Sequence, residues 1–232
     1  MIQIYPTKKG TGVQILGDYA DLRTLYSTIH KLAERLDPEG ERTKGKSELL
    51  LALAYEVRKA YSGQRYDEVL TLDGHYKVTY QGFNYLWSDL IIAFNVLRNE
   101  AGYLATEPLD QSCLYLLEAQ LRNALTSYDA KDGLYLQEFI GKWINISHPY
   151  VYLISQAIAL DYLRLNPGKG RFRKIADLFH HYFDENSKEY KEMLRGLENS
   201  AAEKECKILN LEFGGFPEIK WWQLLNKIPD IA

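Results

Sequence analysis

The stretch Asn84-Tyr85-Leu86-Trp87-Ser88-Asp89-Leu90-Ile91-Ile92-Ala93-Phe94-Asn95-Val96-Leu97 decides the fold. From Tyr85 to Ala101 the pattern predicts a helix that is apolar on most of its circumference, with a narrow polar stripe at Asn84, Ser88, Asn95 and Asn99. Such a helix belongs in the middle of a domain, with other elements packed around it. Its most apolar part, Tyr85 to Leu97, is too short to span a bilayer and carries Asp89 and Asn95. Downstream, Pro149 to Leu165 behind the cap Ser147 reads as a second helix of the same kind. These two helices are expected to form the core, with Ile91, Phe94, Leu97, Leu153, Ile158 and Leu160 buried.

Upstream the period changes. Ile2 to Tyr5 and Val13 to Leu16 alternate and flank the turn Lys8 to Gly12, which predicts a hairpin. Glu68 to Leu72 and Tyr76 to Tyr80 flank Asp73-Gly74, the pair that a tight hairpin turn favours. Between the hairpins lie two amphipathic helices. The first is capped by Asp18 and bears Leu22, Leu25, Ile29 and Leu32; the second is capped by Ser47 and bears Leu50, Leu53, Val57 and Tyr61. Glu39 to Lys46 reads as a mobile charged loop.

Beyond residue 105 a helix bearing Leu114, Leu117, Leu121 and Leu125 is followed by a turn at Lys131-Asp132-Gly133 and an ambiguous stretch from Leu134 to Trp143. Asn166 to Gly170 breaks the chain, and two surface helices follow, Phe172 to Phe183 and Lys188 to Cys206. The fold class is therefore α+β and mostly helical, with a small antiparallel sheet from two hairpins of the N-terminal half packed on a helical core. One domain is expected over 1–232, with the sheet and first two helices in 1–82 and the helical part in 83–232.

Composition narrows the partners. The chain of 232 residues is 46% hydrophobic and 25% charged, an ordinary globular balance that needs no disulfide or metal to hold a core. A formal net charge of −3 argues against a nucleic-acid surface. Cys113 and Cys206 read as reduced packing residues, and with no leader pattern at Met1 to Pro6 a cytoplasmic protein is expected, with no membrane partner.

Three constellations carry chemistry-bearing residues. Lys169, Arg171, Arg173 and Lys174, with Gly168 and Gly170, put four cations at a helix start, where free N–H groups and the helix dipole suit a phosphate; the same residues also suit a flexible basic turn. Asp18, Asp21, His30, Arg58 and Arg65 form a charged set that reads either as an acid–base site or as a cap plus a salt bridge from Asp21 to an arginine of the next helix. Asp177, His180, His181 and Asp184 have metal-ligand spacing, but Ile175, Leu178, Phe179 and Tyr182 lie opposite and make theirs the solvent face. No metal or cofactor is expected.

The motifs Thr11-Gly12-Val13-x-Ile15, Gly17-Asp18-Tyr19-x-Asp21-Leu22, Ile29-His30 and Leu53-x-Tyr55-Glu56-Val57-Arg58-Lys59-Ala60-Tyr61-x-Gly63-x-Arg65 resemble an uncharacterised bacterial protein family of unknown function, over roughly residues 10–65. The resemblance implies a bacterial, intracellular protein. With no specific catalytic motif and an aromatic tail bearing Phe213, Phe216, Trp221 and Trp222, the leading expectation is a non-catalytic binding or regulatory protein acting through protein contacts, with a second copy or another protein meeting the tail. The alternative is an enzyme or binder that meets a phosphorylated ligand or nucleic acid through residues 168–174.

Overall fold

The computed structural model describes residues 1–72 and 76–226. The elements run β1 (Gln3–Pro6), a single 3-10 turn (Lys8–Gly10), β2 (Gly12–Gly17), α1 (Tyr19–Ala33), α2 (Lys44–Tyr61), β3 (Tyr66–Leu72), β4 (Tyr76–Leu86), α3 (Trp87–Tyr103), α4 (Pro108–Tyr128), α5 (Ala130–Gln137), α6 (Val151–Arg164), α7 (Lys169–Phe183) and α8 (Lys188–Glu203). Two more 3-10 turns, Ile208–Asn210 and Trp221–Gln223, lie in the C-terminal segment. The protein is α+β and mostly helical, as the periodicities require.

The sheet order is β1-β2-β4-β3, antiparallel throughout. Both expected hairpins form, and β2 pairs with β4 to join them, with Ile15 opposite Phe83. The turn at Asp73-Gly74 lies outside the described residues. One buried cluster takes in Ile4 and Val13 from the sheet, Leu25 and Leu53 from α1 and α2, Phe94 and Ile158 from α3 and α6, and Phe179 from α7. Ile91, Phe94, Leu97, Leu153, Ile158 and Leu160 are all buried.

Several boundaries differ from the sequence reading. Residues 81–86 extend β4, so the buried helix begins at Trp87 rather than at Tyr85. Tyr85 and Leu86 suit strand and helix equally, and pairing with Val13 and Gly12 decides for strand. α2 starts at Lys44, so Ser47 is a buried interior residue rather than a cap, and the connection from α1 is 34–43. Lys131-Asp132-Gly133 is no turn: it lies in α5, which Asp129 caps by accepting from the N–H groups of Lys131 and Asp132. Gly133 is there for contact, since a Cβ would sit 2.2 Å from the Leu125 carbonyl of α4. Residues 169–174 are the first turns of α7 rather than a flexible turn.

Replacing Phe94, fully buried in α3, by alanine should cost about 3–5 kcal/mol in chemical denaturation. A loss below about 1 kcal/mol would contradict the central position of α3.

Candidate functional site

β4 passes into α3 without a loop: Leu86 is extended (φ −68°, ψ 148°) and Trp87 is already helical. The junction places Tyr85, Leu86 and Asp89 side by side at the sheet–helix corner. α2 brings Leu49, Ala52 and Glu56 to one side, and α6 brings Tyr152, Ser155, Gln156 and Ala159 to the other, each set spaced along one helix face. Phe216, Pro217 and Ile219 of the C-terminal segment cross between them. The result is an apolar cavity of about 240 Å³. It shares Tyr85, Leu86 and Asp89 with a more polar chamber of about 420 Å³ that is also lined by Glu56, Arg65, Asn84 and Trp221.

The C-terminal segment is a strap. Leu211 is buried against Leu153, Leu197 and Ala201. The Phe213 N–H donates to Gln156 Oε1 at 3.0 Å. Further on, the Lys8 N–H donates to the Leu224 carbonyl at 2.7 Å, and Asn226 Nδ2 donates to the Pro6 carbonyl at 2.7 Å. Phe213 and Trp221 are half-buried, whereas Phe216 and Trp222 are 40% and 67% exposed.

Asp89 is the ionisable group at the centre. Its Oδ1 accepts from Ser155 Oγ at 3.2 Å and from Ser88 Oγ at 3.4 Å, and among the described residues no cation pairs with it. Burial pushes its pKa from 3.8 up to about 7, against the smaller pull of the two hydroxyls. Burial, helped by Asp89, also pushes the Tyr85 phenol well above its ordinary value, and burial raises Tyr152. At the polar mouth Arg65 grips Glu56 with Nε and Nη2 at 2.7 and 2.8 Å. A strongly shifted acid facing a cavity marks a functional-site candidate. None of the described histidines lines either chamber, and neither does a cysteine.

Of the charged residues singled out from sequence only Arg65 lines either chamber, and of the tail aromatics Phe216 and Trp221 do. Asp18 and Asp21 form a capping box on α1, each carboxylate accepting the other residue's N–H. Asp21 makes no ion pair with an arginine of α2 among the described residues, in contrast to the expected bridge. His30 packs at a tilt against Tyr26 (ring centres 4.3 Å apart), and Arg58 lies over the Tyr55 ring (5.5 Å), so this set is not brought together. Asp177, His180, His181 and Asp184 are exposed. Lys174 pairs with Asp177, and Lys169 and Arg173 pair with Asp129, Arg173 also with Asp132. Arg171 differs: it is 5% exposed and makes no such pair. Tyr85, Tyr152, Ser155 and Asp89 escaped the sequence reading. The available signal was Asp89, a carboxylate inside the most apolar run of the chain.

The folded Asp89 carboxyl keeps its proton to higher pH than the unfolded one, so folding takes up a proton between roughly pH 4 and 7. The stability from this group is therefore complete at low pH and lost as pH rises through 7. In urea unfolding, Asp89→Asn should gain on the native chain by about 2 kcal/mol between pH 5 and pH 8. An unchanged difference would place the carboxyl in open water.

No curated protein and no solved structure matches the chain. A family model described as "Domain of unknown function (DUF6904)" matches residues 2–221, far beyond the N-terminal motifs and through the strap as far as Trp221, and the chain belongs to that family.

Proposed function

We propose that this is a non-catalytic binding protein, in which a small ligand enters the cleft beneath the strap and the strap reports its presence to a protein partner. The observation that carries the reading is that one segment does both jobs. Its inner face, through Phe216, Pro217, Ile219 and Trp221, closes the chambers beside Asp89, while Trp222 and the exposed part of Phe216 leave apolar area on the outside. Such a segment transmits occupancy by moving as a unit, because a ligand that holds one strap position better than another shifts the population between them. Absence of catalysis is favoured by the company Asp89 keeps: its carboxyl accepts from Ser88 and Ser155, and among the described lining residues no histidine or cysteine stands with them to complete a nucleophile relay.

Among the described residues no helix is long and apolar enough to cross a membrane. A protein partner, either a second copy or another chain, fits the exposed rings better than nucleic acid does. The outer cations of α7 are already held by Asp129, Asp132 and Asp177, which leaves little free positive charge for a phosphate backbone.

Nile red, an uncharged apolar dye, reports on the cleft. One-to-one binding to the full chain is expected, lost in Ala52→Trp, which fills the mouth from the exposed face of α2. Binding that survives this substitution, or its absence from the native chain, would overturn the reading.

A further inference from the structure

Arg171 is a buried guanidinium without a carboxylate. It lies in the first turn of α7, whose N-cap Gly168 (φ 139°) offers no side chain to the helix N–H groups. Its Nη2 donates to the Lys9 carbonyl at 3.1 Å and to Thr11 Oγ1, and its Cζ stands 5.0 Å from the centre of the Tyr162 ring. Nε is buried without a partner, and Nη1 makes no hydrogen bond among the described residues. Burying a full charge on these terms is costly unless something else completes its shell.

The surroundings show what kind of group would do so. Arg171 lines a cavity of about 250 Å³ walled by the β1–β2 turn (Lys9, Thr11), the end of α6 (Leu163, Pro167) and the strap (Pro217 to Lys220, Gln223, Leu224). Three cations, Lys9, Arg171 and Lys220, meet there from three separate parts of the chain, against one exposed carboxylate, Glu218. Lys9 is held in the left-handed region (φ 60°), where its carbonyl receives both Arg171 and the Gly168 N–H. The wall is therefore built rather than incidental. Leu163, Pro217 and Ile219 line this cavity and the apolar chamber beside Asp89 alike.

We propose that this cavity is an anion subsite, in which Arg171, Lys9 and Lys220 hold the phosphate group of a small ligand whose apolar part lies against Leu163 and Ile219. The inference deepens the strapped-cleft reading and rests on it for the apolar half of the ligand. It also separates Arg171 from Lys169, Arg173 and Lys174, the three basic residues near it that are already paired with acids. Guanidinium and ammonium groups together suit a phosphomonoester: Nε, an Arg171 donor that neither Lys9 nor Thr11 uses, has an N–H for a phosphate oxygen, and the lysines neutralise the second charge.

Phenyl phosphate is the probe, titrated by calorimetry onto the full chain at low salt. Stoichiometric binding tighter than about 1 mM is expected, weakened about tenfold in Lys220→Ala and abolished in Lys220→Glu. Lys220 is exposed and forms no ion pair among the described residues, so these variants should keep the native melting temperature. Arg171→Met removes the anchor itself; should it fail to fold, the lysine variants still decide. Binding that ignores Lys220→Glu, or no binding at 1 mM and above, overturns the subsite. If Nile red still binds in that case, the cleft reading stands without it; phenyl phosphate binding in a chain that excludes the dye would keep the subsite and remove the cleft reading.

Discussion

The architecture depends on enclosing α3. Trp87 and the run from Leu90 to Leu97 are inaccessible to solvent except at Asn95, so the helix needs partners all around it. It receives them from α1, α2, α4, α6 and the strands β2 and β4. A buried helix must also satisfy its own polar side chains. Asn95 does so by donating to the Ile91 and Phe139 carbonyls and accepting from the Gly141 N–H, which pins the segment after α5 onto the core. Glu100 pairs with Lys46 of α2 at 2.7 Å. Two groups are less well served: the Trp87 indole N–H is buried without a partner, and Asp89 is supported only by hydroxyls, beside a cavity.

The strap follows from the same geometry. α2 and α6 flank α3 but leave the β4–α3 corner uncovered, because the strand enters the helix directly and supplies no loop to close it. The C-terminal segment covers that corner through few fixed points: Leu211 in a small satellite cluster, one hydrogen bond from Phe213, and the bonds at Leu224 and Asn226 to the β1–β2 turn. The stretch between these points, Gly214 to Lys220, has no regular structure and only Ile219 is even half-buried. Sparse anchoring of this kind is the mark of a segment that opens locally before the protein unfolds.

The hydrophobic periods made the fold legible. An all-round apolar helix, two amphipathic helices and two alternating pairs were enough to specify class and core. Boundaries were lost where a residue serves contact rather than local preference. Gly133 looks like a turn but is there to let α4 and α5 approach, and Tyr85-Leu86 looks helical until β2 pairs with it. The cleft was much less legible. Its walls come from residues 49–56, Arg65, 84–89, 152–163 and 216–221, which no local pattern links. Arg171 was visible as one of four cations, but only folding shows that Lys169, Arg173 and Lys174 meet acids while Arg171 is buried against backbone and Tyr162.

The central claim is that the strap is a closure that moves, and native-state amide hydrogen exchange tests it most directly. The amides of Phe213 and Lys8, bonded to Gln156 and to the Leu224 carbonyl, mark the two ends of the covered cleft. The account predicts that both exchange by local opening, at a free energy well below that of the α3 amides around Phe94, which should open only with global unfolding. If Phe213 and Lys8 exchange only as fast as the α3 core, the strap is a fixed part of the core and the cleft has no working entrance.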